Sequence, residues 1–467
     1  MEGTMNKIFK DIRTYFMIVL IIVILRLGYQ LIKYPILSTK YIIIFMIVII
    51  AILFLFILSQ YKAKNKKIKL TGKILIIIFC LLLIPLNYTF SKTMNALTKT
   101  QTHVETDSVS IIVKANSTYQ YTQDLKGKIY STLATDDESV DKTIEKLQRE
   151  NNENIQPKVY SGVLTLVNAL YNNDVDCIII NESYRAMIEE DFPDFSNDTR
   201  VIYSKQYITQ IDSPENNDIT RNTFNVYVSG IDTYGSITTK SRSDVNMIIT
   251  VNPTTKTVLL TSVPRDYYIP FNVLGGQRDK LTHSGLYGVN ETMQNVASYF
   301  GIDIDYFIRV NFDSLIDIVD SLGGIEVYNP QAFKNFEVGK ITLNGEEALV
   351  FSRERYSFED GDKERGRNQM RVITGIINKI LSPAIISNYS ELMDKLQVSF
   401  QTNMSDEQII SLVRMQLDDM SPWTIQQQSV NGNGQTLYSP IYGSDLYMIV
   451  PDDKSVENAK VKINELY

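Results

Sequence analysis

Three apolar runs in the first ninety residues constrain this chain more than any other feature. They are 15–32 (YFMIVLIIVILRLGYQLI), 41–59 (YIIIFMIVIIAILFLFILS) and 74–90 (ILIIIFCLLLIPLNYTF). Each approaches the ~20 apolar residues that cross a bilayer. One such run suits a buried core helix. Three in succession, divided by short polar loops, predict a membrane anchor of three transmembrane helices over residues 1–92. No small-residue cleavage site follows the first run, so it does not read as a removable signal.

Lysine placement sets the orientation. The loop between runs two and three carries Lys62, Lys64, Lys66, Lys67, Lys69 and Lys73, and the N-terminus carries Lys7, Lys10 and Arg13. The loop KYPILSTK between runs one and two is far less basic. The positive-inside tendency puts the N-terminus and the lysine loop in the cytoplasm, and three crossings then place residues from about 93 to 467 outside a multi-pass cell-membrane anchor. The cytoplasmic remainder is too small to read DNA, so nucleic acid is not an expected partner; the lysines suit an anionic membrane surface. Cys80 sits in the third run and Cys177 in VDCIII, neither with an evident partner. His103 and His283 lie far apart in sequence, which argues against a His-rich zinc centre.

The remainder reads as α/β in two pieces. Residues 105–212 alternate strand and helix patterns (VSIIVKA, DDESVDKTIEKLQRE, SGVLTLVNALYNN, VDCIII, SYRAMIEED) and predict a small accessory α/β domain without a catalytic constellation. The polar stretch QIDSPENNDITRN reads as a linker. From residue 224 to 467 the pattern predicts a second α/β domain built on a central sheet, opened by the strands FNVYVSGID, DVNMIITVNP and KTVLLTSVPRD.

These strands carry the first chemical signal. The turn NPTT predicts a hairpin, and a meander would bring Asp232, Asp244 and Arg265 to one edge of the sheet, with Arg242 in the connecting loop. A lone carboxylate at a strand end more often caps a turn. Two converging acids beside arginines suit Mg²⁺ or Mn²⁺ bound together with phosphate oxygens. The second signal is FSRERYSFEDGDKERGRNQM, residues 351–370, in a chain of net charge -7. Such a mixed-charge run is most often a solvated face. Here arginine outnumbers lysine, and the run opens the apolar helix MRVITGIINKIL, where helix-end donors favour an anion. Arg365 and Gln369 would share one helix face, and Arg353 and Arg355 would point the same way if the chain is extended there, leaving Arg367 facing elsewhere. Apolar helices around YFIRVNF fit either an ordinary core or a slot for a lipid tail.

SGIDTYGSITTKSRSDVNMIITVNPTTKTVLLTSVPRD, with the later FSRERYSFEDGDKERGRNQ, resembles the LytR-CpsA-Psr family, especially its capsule branch, and the resemblance spans the anchor, the accessory piece and the family domain. It implies an α-β-α domain with a central mixed sheet and a Mg²⁺-dependent enzyme outside the cell. That enzyme would transfer polysaccharide from an undecaprenyl-pyrophosphate carrier to Gram-positive peptidoglycan. By position, Asp232 and Asp244 match the Mg²⁺ ligands, and Arg242, Arg265, Arg353, Arg355, Arg365 and Gln369 match the pyrophosphate-binding set. Asp362 matches the acid proposed for catalysis, and Arg265 is assigned to catalysis with it. DKLTHSGLYG, which holds Lys280 and His283, follows the family segment only loosely. The alternative is a non-catalytic membrane regulator that binds lipid-linked polymer and acts on the capsule polymerisation machinery.

Overall fold

The computed structural model describes residues 12–33, 39–97, 103–135, 137–214, 218–232, 236–382 and 399–467. The chain forms two units, one of Met1–Thr100 with Ser405–Ser421 and one of Gln101–Met404 with Pro422–Tyr467.

In the first unit, helices α1 (Ile12–Lys33), α2 (Thr39–Ile57) and α3 (Lys66–Leu97) form where the apolar runs stand. Two stretches, Lys40–Lys62 and Lys66–Tyr88, are long and apolar enough to cross a membrane, with mean hydropathies of 3.5 and 2.3. In α1 the apolar stretch is shorter, Met17–Leu31. Leu20, Leu27, Ile49, Phe56 and Cys80 share a buried core, while Leu25, Ile47 and Leu81 face outward, each more than 60 % exposed. An outer surface of exposed Ile and Leu is unfavourable in water and suits lipid.

The second unit contains two main sheets. The first comprises β1 (Val104–Lys114), β2 (Tyr130–Leu133), β3 (Lys158–Tyr160), β4 (Cys177–Asn181) and β5 (Thr199–Gln210), in the order β3-β2-β4-β1-β5. Helices α4 (Glu138–Asn151), α5 (Val163–Tyr171) and α6 (Arg185–Asp191) connect its strands. The Asp137 side chain caps α4 by accepting from the Ser139 and Val140 amides.

The second sheet is mixed. Strands β6 (Phe224–Gly230), β7 (Val245–Asn252) and β8 (Thr257–Val263) form the expected antiparallel meander, in register Gly230↔Val245 and Asn246↔Val263. Strand β9 (Tyr306–Val310) runs parallel to β6, with Val310 opposite Gly230. The edges are closed by β10 (Gln401–Thr402) on β9 and β11 (Thr424–Ser429) on β8. Neither closing strand carries a signal in the sequence, because TIQQQS is polar and its order comes from backbone pairing to β8.

Both faces of the mixed sheet are covered. Val228, Met247, Val258 and Leu260 pack under Met370 and Ile373 of a long helix, whereas their alternate neighbours Tyr227, Ile248 and Leu259 enter a core shared with Val163, Leu166 and Val167 of α5. Burial on both sides explains why all seven residues of β6 are buried. It also means that the two sheets share one core, although 211–223 connects them in sequence.

Candidate functional site

The register sends four strand ends to one edge of the mixed sheet. Asp232 lies two residues past β6, Asp244 immediately before β7, Arg265 two residues past β8, and Asn311 just after β9. Helices α7 (Phe312–Ser321), α8 (Gly345–Arg353) and α9 (Asp362–Ile380) stand around this edge and enclose a cleft of about 560 Å³. Asp232, Asp244, Arg265, Arg353, Arg355, Arg365 and Gln369 all line it. Its remaining wall is largely apolar, including Val228, Leu315, Leu349, Val350, Val372 and Ile373.

The ion pairs are specific. Arg265 Nη1 lies 2.6 Å from Asp244 Oδ1, and Thr282 Oγ1 donates to the same oxygen at 3.1 Å. Arg353 Nη2 lies 3.2 Å from Asp232 Oδ1, with its guanidinium stacked 4.1 Å from the Phe312 ring centroid. Arg365 Nη2 lies 2.5 Å from Asp362 Oδ1. Burial pulls the Arg365 guanidinium below its ordinary value, and Arg265 and Arg355 push the same way against the pull of Asp362 and Asp244. Arg265 Nε is buried without a hydrogen-bond partner among the described residues. Arg265 Nε does lie 3.7 Å from Asp266, but guanidinium groups crowded at the rim of an apolar cleft still favour an anionic ligand.

Arg353 and Arg355 reach the cleft by a different backbone from the one expected. An Asn344–Glu347 capping box starts α8, and the helix continues to Arg353. The chain turns extended only at Glu354, whose carboxylate is held by Lys334 and the Ser357 amide. Phe333, packed on both Phe351 and Phe358, fixes the connection that follows. Arg365 and Gln369 do share a face of α9. Arg367 is outside the main cleft, 2.8 Å from Asp360 and 2.5 Å from Glu364, and only borders the small cavity beside Asp362.

Two assigned residues border smaller neighbouring cavities. Asp362 lines one of about 80 Å³ together with Asp244, Arg265, Arg365 and Gln369. Arg242 lines another of about 180 Å³ with Asp244, Arg265 and Lys280, and pairs with Glu190 of α6 at 2.6 Å. Lys280 is 3.3 Å from Asp266. His283 is buried, 2.8 Å from Asp279, in a tie to Ser439 and the Ile441 amide. Sequence reasoning passed over Thr282 and Lys334. Thr282 stands inside the quoted DKLTHSGLYG segment, but Lys334 has no local signal because folding alone brings it to α8.

Among the described residues no group of three or more His, Cys, Asp or Glu side chains is arranged for a metal. Asp232 and Asp244, at the strand-end edge of the cleft, supply two of its carboxylates, which suits Mg²⁺ completed by phosphate oxygens and water; Glu346 and Glu354 line the cleft as well. On Asp244, both hydrogen bonds fall on Oδ1.

Residues 196–465 match the family model described as LytR_cpsA_psr family. A polyisoprenyl-teichoic acid–peptidoglycan teichoic acid transferase TagU of Bacillus licheniformis is 33% identical over 253 residues, 52% of this chain and 77% of that protein. The protein of the same name from Enterococcus faecalis is 36% identical over 220 residues, 45% of this chain and 71% of that protein. Among solved structures, TagV of B. subtilis superposes with a TM-score of 0.45 at 26% identity, covering 53% of this chain and 97% of that one.

Proposed function

The chain belongs to the LytR_cpsA_psr family, and from that membership we propose that it is a membrane-anchored phosphotransferase working outside the cell. Its substrate is a polysaccharide carried on undecaprenyl pyrophosphate, of the capsular kind given the resemblance to the capsule branch, and its acceptor is a hydroxyl of peptidoglycan. The observation that carries this reading is the placement of Arg265, Arg353, Arg355 and Arg365 at the rim of an apolar-walled cleft. A polyprenyl pyrophosphate combines those two demands, an anion and a lipid chain, in one molecule.

The acceptor oxygen attacks the phosphorus that bears the polymer. A new P–O bond forms, the bond to the bridging oxygen breaks, and polyprenyl monophosphate leaves. Arg265 and Arg365 hold the charge that grows on the bridging oxygen. Arg353, Arg355 and Gln369 orient the diphosphate, and Arg242 reaches it from the adjoining cavity. Asp362 takes the acceptor's proton, or orients its hydroxyl. The proton ends on the released phosphate or in solvent. Asp232 and Asp244 are the residues that would hold Mg²⁺, which when bound neutralises phosphate charge. Val350, Val372 and Ile373 line the path of the lipid chain.

The three N-terminal helices anchor the domain, with the lysine loop inside and residues from about 93 outward. Polymerisation machinery of the capsule is a further partner for the spans. The test is incubation of the full-length chain in detergent with a polyprenyl-pyrophosphate-linked saccharide and peptidoglycan, with and without Mg²⁺. Transfer of saccharide onto peptidoglycan with release of polyprenyl monophosphate is expected. Binding of the lipid without transfer would leave only a polymer-binding role.

A further inference from the structure

The segment that delivers Arg242 and Asp244 is held from the accessory sheet. Strand β1 pairs with β4 only over Val109–Ile112, so its first residues have an open edge on that side. The loop from the other sheet occupies that edge. The Thr106 amide donates to the Thr238 carbonyl at 2.8 Å, Thr106 and Thr239 form a parallel bridge, and the Thr106 and Thr238 hydroxyls are 3.0 Å apart. The next residue, Lys240, turns into the accessory piece, 3.0 Å from Asp107 and 3.9 Å from Glu105. Asp107 is fixed in turn by Asn181 and Ser139.

A second cation completes the joint. Arg309 of β9, only 1 % exposed, donates to the Thr239 carbonyl at 2.8 Å and approaches Glu105 at 4.0 Å. Further along, Glu190 of α6 holds Arg242, and Gly285 lies so close to 241–243 that an added Cβ would stand 2.4 Å from the Ser241 carbonyl. The Asp244 amide then returns to the mixed sheet by donating to the Gly230 carbonyl. From Thr238 to Asp244 the segment is thus held by accessory groups at Thr238, Lys240 and Arg242 and by the mixed sheet at Thr239 and Asp244.

We infer that residues 103–212 are a positioning element for the transfer site, with Lys240 as the residue through which they set Arg242 and Asp244. The inference rests on the transferase reading above. Lys240 touches no substrate. Buried Asp107 and partly buried Glu105 fix the segment's position through it, as supporting side chains fix the ligands of a metal site. A spacer would need no buried ion network directed at a loop of the other sheet; buried ionic groups are retained where they specify one arrangement.

The experiment uses the full-length chain in detergent, farnesyl pyrophosphate as the probe, and amide hydrogen exchange read by mass spectrometry. Lys240→Ala should speed exchange across 238–244 and weaken probe affinity about 10- to 100-fold, as loss of supporting side chains does elsewhere. Lys240→Arg, which keeps the charge, should restore both. Glu190→Gln, at a half-exposed position that does not threaten folding, should speed exchange at 242–244 and also weaken the probe. Unchanged exchange over 238–244, or faster exchange with unchanged affinity, overturns the inference. If the wild-type chain fails to bind farnesyl pyrophosphate, the transferase reading falls instead, and the exchange comparison still decides whether Lys240 holds the segment.

Discussion

Arg265 Nη1 lies 2.6 Å from Asp244 Oδ1, and this one ion pair borders all three cavities of the site. It joins the start of β7 to the end of β8. Burial alone would lower the Arg265 guanidinium, but Asp244 and Asp266 outweigh it and hold it above its ordinary value. Asp244→Ala should therefore leave a mostly buried guanidinium short of a partner. Because Arg265 keeps some access to water, the expected loss is about 1–3 kcal/mol of stability, below that of a fully buried pair. Transfer should fall at least as far as in Arg365→Ala, and the residual activity should no longer depend on Mg²⁺. Chemical unfolding and a Mg²⁺ titration of turnover test this; a stable variant with wild-type Mg²⁺ dependence would remove Asp244 from the metal site.

Arg365 and Arg367 provide an internal control, two residues apart on α9 with identical chemistry. The first is 14% exposed and lines the cleft; the second is 44% exposed and bound to Asp360 and Glu364. Losing a charge-assisted phosphate contact in a partly desolvated site costs ~2–4 kcal/mol, about 30- to 1,000-fold in binding or turnover. A surface ion pair contributes ~0–1 kcal/mol. Arg365→Ala should abolish most transfer in a folded protein, and Arg367→Ala should not. Equal behaviour would return the whole run to the role of a solvated face.

The apolar wall is tested by a charge. Val350 lines the cleft, 40% exposed, in the last turn of α8 near Glu346, Glu347 and Glu354, so Val350→Asp should cost about 1–2 kcal/mol and leave the chain folded. A carboxylate beside a lipid chain should still weaken polyprenyl phosphate binding tenfold or more, about 1.4 kcal/mol. Val461→Asp, a similarly exposed site away from the cleft, is the control. Matching lipid affinities in the two variants would make the wall an ordinary packed surface.

Asp279 contributes to the pH dependence of stability. Burial by itself would raise its carboxyl, but His283, the Ile441 amide and the Ser439 hydroxyl outweigh burial and hold it below the usual carboxylate range. With the folded value depressed, its stabilisation is present above the unfolded carboxylate value of about 3.9 and is lost as pH falls through the folded one. Asp279→Asn should cost about 1–3 kcal/mol at pH 7, because an amide donor then faces donors. Urea unfolding should show that difference shrinking as pH falls below about 4. A difference independent of pH would dismiss the ionised tie.

The orientation of the anchor can be read by thiol labelling. The two native cysteines are buried, so they give a quiet background. With the lysine loop inside, a cysteine at the exposed Asn65 should resist a membrane-impermeant reagent on intact cells, and one at the exposed Lys126 should react. Labelling at Asn65 from outside would reverse the compartment and the function proposed for it.

The sequence by itself determined the elements whose signals are local. Short apolar runs and the NPTT turn located β6, β7 and β8, and with them the convergence of Asp232, Asp244 and Arg265 on one edge. Helical spacing after residue 370 placed Arg365 and Gln369 on the face toward the main cleft, with Arg367 outside it. Tertiary structure alone decided what depends on distant backbone. It ended α8 at Arg353 by holding Glu354 to Lys334, and it added the polar strand β11 to β8. It also turned Arg242 toward Glu190 and brought β1 against the 238–244 segment. The physical reason is that hydrophobic periodicity records which face is buried, not against what. Hydrogen bonds and ion pairs between residues far apart in sequence form only after both partners have been placed, so no window of the chain contains them.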